Sequence, residues 1–106
     1  MKITLKLDSG EKEYAMGRPK ARVVKKAIKL ATKLDPKNIN ENTMDEMVNL
    51  VVVAFGNQFT SDDMWDGLFY DEVMEVVQDT LKEVVEGTQK RLNQSKNAAA
   101  GKAAKS

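Results

Sequence analysis

Apolar and polar residues alternate strictly over the first seven positions of the chain. Ile3, Leu5 and Leu7 would share one face of a strand, with polar side chains on the other face. Turn-forming residues follow at 8–10, and residues 13–16 can return as a second strand. The sequence therefore predicts an N-terminal β-hairpin. Because a two-stranded ribbon is marginal alone, this hairpin must pack on helices or pair with another chain.

A helical period replaces the alternation after Gly17. Pro19 suits the first turn of a helix, and Asp35 with Pro36 stops it, so we predict a helix over 20–34. The stripe predicted to face the core is Val24, Ala27, Ile28, Ala31 and Leu34. Four lysines lie largely away from that stripe. This helix is thus amphipathic, with a basic outer face.

A second helix is predicted over 44–55. Thr43 and Glu46 fit a capping box at its start, and Gly56 fits its C-terminal stop. The second half, LVVVAF, is apolar on every side, so we expect this helix to be the most buried element. Its β-branched run would also suit a strand, but the cap and the glycine favour a helix.

The last third of the chain predicts a short helix over 62–67, started by Thr60, and a long helix over 70–92. The long helix carries an apolar stripe of Val73, Val76, Val77, Leu81, Val84 and Val85, opposite an acidic face. Residues 94–106 lack bulky apolar groups and predict a flexible, disordered tail. The predicted class is α+β, a single domain over 1–93 with a β-hairpin and three to four helices.

Composition excludes most catalytic chemistry. The 106 residues include no Cys and no His, which removes disulfides, thiol nucleophiles and imidazole or thiolate metal sites. No Gly-rich phosphate loop is present. The longest apolar run has six residues, whereas a membrane-spanning helix needs about 20. The sequence therefore indicates a binding protein and not an enzyme, with no cofactor, no metal, no membrane span and no signal peptide.

An acidic group near residue 62 resembles part of a calcium loop. Asp62, Asp66 and Gly67 occupy the first, fifth and sixth loop positions. The third and twelfth positions hold Met64 and Val73, so two required ligands are missing. Helix capping and an exposed acidic face explain these carboxylates better.

Charge is strongly segregated along the chain. Residues 1–40 carry eleven Lys and Arg against four Asp and Glu, and residues 41–89 carry one Lys against twelve Asp and Glu. Residues 90–106 add five basic residues and no acid. The net charge of the whole chain is therefore only +1. The two halves could neutralise each other, meet a charged protein partner, or bind nucleic acid through the basic helix. Nucleic acid is the least favoured because aromatic stacking residues are absent from 15–54.

Nine Met and aromatic residues fall between 44 and 74, more than a small core needs. Most should be core, but flexible Met and broad aromatic side chains also suit the binding of helices of varied sequence. The junction of the short and long helices should form a concave site for a helical protein partner. The predicted partner-binding residues are Met64, Trp65, Phe69, Asp62, Asp63 and Asp66.

Three stretches in order, MKITLKLDSGEKEYAMG, ARVVKKAIKL and FGNQFTSDDMWDGL, resemble the tail assembly chaperones of long-tailed, siphovirus-type bacteriophages of Gram-positive hosts. The resemblance covers about residues 1–90, and FGNQFT followed by DD and DG is its most distinctive part. RPK at 18–20 is more basic than the family pattern. The Ala/Lys-rich tail after residue 93 matches nothing in it.

The resemblance implies a small cytoplasmic protein, made in the infected or lysogenic host and absent from the finished virion. It implies binding to the helical tape measure protein, which is kept soluble, and recruitment of tail tube protein. Many such phages also make a longer, frameshifted form. Homo-oligomers are possible through the hairpin edge. Two alternatives stay open: a small regulatory nucleic-acid-binding protein that uses the basic helix 20–34, and a minor structural subunit of the virion.

Overall fold

The chain forms two strands followed by four helices. The computed structural model describes residues 1–35 and 37–105, and in the last helix the side chains through Lys90 with Leu92 and Asn93. The elements are β1 (Lys2–Leu7), β2 (Gly10–Ala15), α1 (Ala21–Lys33), α2 (Glu41–Ala54), α3 (Ser61–Gly67) and α4 (Tyr70–Lys105). The predicted α+β class, a hairpin followed by helices, is confirmed.

The hairpin is antiparallel and its turn is tight. Leu7 pairs with Gly10, which leaves two residues in the turn. Gly10 has φ +116°, a conformation that residues with a side chain rarely adopt. The second strand therefore starts at Gly10 and not at the predicted residue 13, because so short a turn lets pairing resume at once. Ile3 and Leu5 are buried, as the alternation predicts.

Helix α1 buries a different stripe from the predicted one. Val23, Ala27 and Leu30 are buried, whereas Val24 is half-buried and Ile28 is 49% exposed. The apolar residues of α1 form two overlapping stripes at helical spacing, and packing against α2 and α4 selects one of them. Periodicity alone could not choose between them.

The two ends of α1 also differ from the prediction. The helix starts at Ala21 with Lys20 as its N-cap, so Pro19 precedes it and is not in the first turn. At the other end Leu34 is the C-cap, and its N–H donates to the Leu30 carbonyl. Pro36, predicted to stop the helix, lies outside the described residues.

Helix α2 begins three residues earlier than predicted. The Asn40 Oδ1 accepts from the Thr43 N–H at 2.9 Å and from the Thr43 hydroxyl at 3.0 Å, so Asn40 is the N-cap. Thr43 lies in the first turn and does not cap. Glu46, predicted to complete a capping box, instead accepts from Lys33 Nζ of α1 at 3.1 Å. Asn is a stronger cap than Thr, which explains the shift.

The predicted stop of α2 at Gly56 is confirmed. Gly56 has φ +73°. Its N–H donates to the Val53 carbonyl, and the Asn57 N–H donates to the Val52 carbonyl, both at 3.0 Å. This pair of bonds is the Schellman motif, which satisfies carbonyls that the last helical turn leaves free.

Helix α2 is the centre of the core, as predicted. Seven of the seventeen buried apolar side chains among the described residues lie between Met47 and Phe55. Helices α1, α3 and α4 all pack against α2. The β-branched run at 51–53 is helical, so the capping signals outweighed strand propensity.

Helix α4 buries Val73, Val77 and Val84, in agreement with the predicted stripe. The stripe also contains the fully buried Thr80, which the sequence did not single out. Its hydroxyl donates to Met1 Sδ at 3.6 Å, and this bond links the start of the chain to α4. The helical backbone extends to Lys105, beyond the predicted residue 92. The separation of a tail at 94–106 from the domain stays a prediction, and Ser106 lies outside the described residues.

Strand β1 packs against the end of α3 at Gly67. A Cβ on Gly67 would lie 3.3 Å from the Leu5 Cβ and 3.3 Å from the Lys6 backbone nitrogen. Contacts this short require the neighbouring atoms to move. The absence of a side chain on Gly67 therefore lets the hairpin close over α3.

Replacement of Val52 by Asp should unfold the domain. Val52 is buried in α2, where a carboxylate would have no compensating charge. We expect a loss of about 4 kcal/mol or more in the free energy of unfolding, a large part of a small domain's stability. Urea unfolding followed by circular dichroism measures it. Asn49→Asp, at an exposed position of the same helix, is the control. A folded Val52→Asp protein would contradict the assignment of α2 to the core.

Replacement of Gly67 by Val should loosen the contact between β1 and α3. The new side chain would press on Leu5 and on the β1 backbone, and overpacking of this kind costs about 1–3 kcal/mol. Thermal unfolding should show a lower Tm. Gly17→Val is the matched control, because a Cβ there has no neighbour within 4 Å. Equal Tm values for the two variants would argue against a tight hairpin contact.

Candidate functional site

The start of α3 is fixed by a reciprocal capping box. The Asp63 N–H donates to Thr60 Oγ1 at 3.1 Å, and the Thr60 N–H donates to Asp63 Oδ2 at 3.0 Å. These bonds satisfy backbone donors that a helix start otherwise leaves free. The Asp63 carboxylate is therefore already engaged in holding α3 in place, on the turn that precedes Met64 and Trp65.

Two residues, Leu68 and Phe69, join α3 to α4. Leu68 is extended and half-buried. The Phe69 N–H donates to Glu72 Oε1 at 2.9 Å, and the Phe69 carbonyl accepts from the Val73 N–H at 2.9 Å. Glu72 thus fixes the first turn of α4 without any help from the Phe69 side chain. That side chain is left free to project outward.

The structure separates the six predicted partner-binding residues by burial. Met64 is fully buried in the core, and Trp65 is half-buried against it. Phe69 is 70% exposed, and Asp62 and Asp66 are exposed. The exposed members lie on α3 and at the link that follows it. Met64 instead packs in the core and holds α3 against it.

Sequence reasoning missed Tyr70 as a member of this surface. Tyr70 is 58% exposed and follows Phe69 directly, and Asp71 next to it is exposed as well. Two adjacent aromatics at the predicted start of the long helix, outside its apolar stripe, were the signal that could have identified the pair. We use the name acidic aromatic junction for six residues of α3, the link and the first turn of α4 that are exposed or, for Trp65, half-buried: Trp65, Phe69, Tyr70, Asp62, Asp66 and Asp71.

Exposed aromatic side chains of this size are rare in the described part of the chain. The exposed large apolar residues there are Ile28, Phe69, Tyr70 and Leu92. Only Phe69 and Tyr70 are neighbours in this group. Exposed apolar groups that cluster and are surrounded by polar residues are typical of protein interaction sites.

A second surface has the opposite charge. A groove of about 330 Å³ lies between the start of α1 and the end of α2. Arg18, Lys20 and Arg22 line it together with apolar residues that include Val23 and Phe55. We call it the basic groove. Each of the three cations is exposed.

Internal ion pairs cancel little of the segregated charge. Within the described residues the ion pairs are Lys2 with Glu13 in the hairpin, at 3.4 Å, and Lys33 with Glu46 between α1 and α2, at 3.1 Å. Among the described residues, the carboxylates of the acidic aromatic junction and the cations of the basic groove form no ion pair. Ion pairs within the described part of the chain therefore engage only a few of the segregated charges.

Neither a cluster of metal-ligand side chains nor a membrane-spanning helix is found among the described residues. Over 1–35 and 37–105, no three His, Cys, Asp or Glu side chains come together as a metal site would need. In the same part of the chain, no helix combines the length and the hydropathy required to cross a bilayer.

Comparison with known proteins identifies the family. The sequence profile of the family described as phage tail chaperone protein matches residues 1–102. No curated protein and no solved structure matches the chain. The match agrees with the resemblance to phage tail assembly chaperones seen in the sequence, and it points to a role other than catalysis. Since it spans nearly the whole sequence, the chain belongs to the phage tail chaperone protein family.

Proposed function

We propose that this chaperone binds the tape measure protein of a long-tailed, siphovirus-type phage, keeps it soluble, and helps recruit tail tube protein during tail assembly. The observation that carries the proposal is the exposed aromatic pair of Phe69, at 70%, and Tyr70, at 58%, among exposed carboxylates. On a chaperone, such a surface fits an apolar segment of a client.

The chemistry of the junction suits long amphipathic helices. Phe69 and Tyr70 offer broad apolar faces that do not demand one client sequence, and the half-buried Trp65 on α3 is a third aromatic close to them in the chain. Asp62 and Asp66 would attract Lys and Arg beside a client's apolar stripe. Met64 and Asp63 support the surface by holding α3, one through packing and the other through the capping box.

A role in tail assembly implies a place and a time of action. We propose that it works in the cytoplasm of an infected or lysogenic Gram-positive host and leaves before the virion is complete. Recruitment of tail tube protein would use a longer frameshifted form, with the domain described here holding the tape measure protein.

Co-expression with the tape measure protein tests the proposal directly. The tape measure protein should move from the insoluble to the soluble fraction when the chaperone is present, and the two should co-purify. Soluble yield that does not change would oppose the proposed function. Persistence of the chaperone in purified particles would instead favour a structural subunit of the virion.

Replacement of Phe69 by Ala should weaken client binding by about 2 kcal/mol, which is about 30-fold in Kd, as loss of an anchoring aromatic commonly does. The fold should be kept, because this side chain is largely exposed. Calorimetric titration with a purified tape measure segment measures the Kd. Ile28→Ala, at an exposed apolar position on α1, is the control. Wild-type affinity in Phe69→Ala would remove the junction from the binding site.

Replacement of Trp65 by Ala should affect both fold and binding, since this side chain packs partly on the core. We expect a lower Tm together with weaker client binding. Trp65→Phe, which keeps an aromatic face, should recover most of the binding. If Trp65→Ala lowers the Tm and leaves the Kd unchanged, Trp65 belongs to the core alone.

A further inference from the structure

The outer edge of β1 has main-chain groups that point away from its partner strand. The Met16 N–H donates to the Met1 carbonyl at 2.9 Å, so these two residues form a hydrogen-bonded pair at the open end of the hairpin. Hydrogen-bonded and non-hydrogen-bonded pairs alternate along antiparallel strands. In the register of this hairpin, Lys2 and Thr4 therefore direct their N–H and C=O groups outward.

The two edges of the hairpin differ in how they are covered. On the β2 side, the outward Ala15 carbonyl accepts from Gln58 Nε2 at 2.8 Å. On the β1 side, no hydrogen bond from the described helices and loops reaches the main chain of Lys2 or Thr4. An unpaired strand edge is a template for another strand. The β1 edge is therefore the one that can accept a further strand.

A groove of about 290 Å³ lies between this edge and the start of α4. Its apolar lining includes the half-buried Leu68 and Val76, and α4 adds three carboxylates. We call it the edge groove, and its lining consists of residues 1–4, Leu68, Glu72, Glu75, Val76 and Asp79. The groove ends toward Lys6, where the end of α3 packs on β1 at Gly67.

We propose that the edge groove binds an extended segment of a partner protein, which pairs with β1 as a third strand and carries Lys or Arg at alternate positions. Main-chain hydrogen bonds supply affinity in this mode of recognition, and alternate side chains supply specificity. Side chains of the added strand that face α4 would lie on Leu68 and Val76 and end beside carboxylates. Lys and Arg combine the apolar stem and the positive end that such a position requires.

The charges around the edge groove favour a basic occupant. Glu75 and Asp79 are exposed, and neither forms an ion pair within the described part of the chain. Lys2 also lines the groove, but its Nζ lies 3.4 Å from Glu13 in the hairpin. The carboxylates of α4 are therefore available to cations of a partner.

The edge groove shares no residue with the acidic aromatic junction. The junction presents aromatic side chains to a helical client, whereas the edge groove presents main-chain groups to an extended segment. Main-chain pairing tolerates many sequences, so the edge adds a second way to hold a partner without selecting one sequence. The two surfaces can be occupied together.

Titration of the full ¹⁵N-labelled chain with two synthetic peptides tests the inference. One peptide alternates Lys and Thr, and the other alternates Glu and Thr. The Lys–Thr peptide should shift the amide signals of Lys2 and Thr4 and slow their hydrogen exchange. The Leu5 amide, already bonded to β2, should change little. The Glu–Thr peptide should bind about tenfold or more weakly, because the α4 carboxylates repel it.

A proline on each edge separates main-chain pairing from general attraction. Thr4→Pro removes one outward N–H and should keep the hairpin, since proline is tolerated at edge positions. It should weaken binding of the Lys–Thr peptide about tenfold or more. Glu11→Pro is the matched control, because Glu11 stands opposite Lys6 and its N–H lies on the β2 edge. This variant should bind like the wild type.

Charge reversal tests the acidic side of the groove without a change in the strand. Glu75→Lys should weaken binding of the Lys–Thr peptide and strengthen binding of the Glu–Thr peptide. Asp45→Lys, at an exposed position of α2, should change neither. Equal effects of the two reversals would mean that only net charge matters and would overturn the proposed site.

Four other results would overturn the inference: no binding of the Lys–Thr peptide, wild-type affinity in Thr4→Pro, full affinity of a Lys–Thr peptide with N-methylated main-chain nitrogens, or slow exchange of the Lys2 and Thr4 amides in the free chain. The last result would show that the edge is already covered, for example by a second copy. Titration with a helical tape measure segment keeps the two proposals apart. If that segment binds and the Lys–Thr peptide does not, only the edge groove is rejected.

Discussion

The structure depends on covering the apolar second half of one helix. Between Met47 and Phe55, seven side chains of α2 and its C-cap are buried while Asn49 is exposed and Val53 half-buried, so this segment needs neighbours around most of its circumference. Helices α1, α3 and α4 supply them. The hairpin then covers α3 through the Gly67 contact. Three helices therefore pack directly on α2, and the hairpin packs on one of them, α3.

The packing of α1 and α4 on α2 also explains why the charged side chains stay on the surface. Most of the valine and leucine side chains described on α1 and α4 face inward, and the Lys and Arg of α1 and most Asp and Glu of α4 lie on outer faces. The described ion pairs engage only a few of these groups. The result is a small domain with one basic and one acidic region. Such a charge distribution favours oriented contact with other proteins over isolation.

Much of the fold could be predicted from the sequence, because strong local signals and the tertiary packing agree. Alternation at Ile3 and Leu5, the Gly56 stop and the Thr60 cap each proved decisive. The predictions that failed were choices between local alternatives of nearly equal strength. Asn40 and Thr43 are both good caps, and α1 has two apolar stripes. Only contact with α2 and α4 decides such cases.

The candidate site was less predictable, since exposure depends on packing and not on residue type. Phe69 and Met64 look equally suited to a binding surface in the sequence, yet one is exposed and the other fully buried. The difference arises at Leu68, where the chain becomes extended and changes direction. Tyr70 was missed because it falls at the first residue of α4. A linear pattern does not show which way a link between two helices turns its side chains.

The bond between Met1 and Thr80 has a consequence for how the chain folds during translation. A hairpin forms in about 1–10 μs, so β1 and β2 can pair soon after they leave the ribosome. At about 5–20 residues per second, Thr80 is synthesised roughly 4–16 s after Met1. For most of that interval Leu5 has no helix to pack against, because Gly67 of α3, which it contacts, is also made late. The hairpin can thus form before the surfaces of α3 and α4 that it packs on.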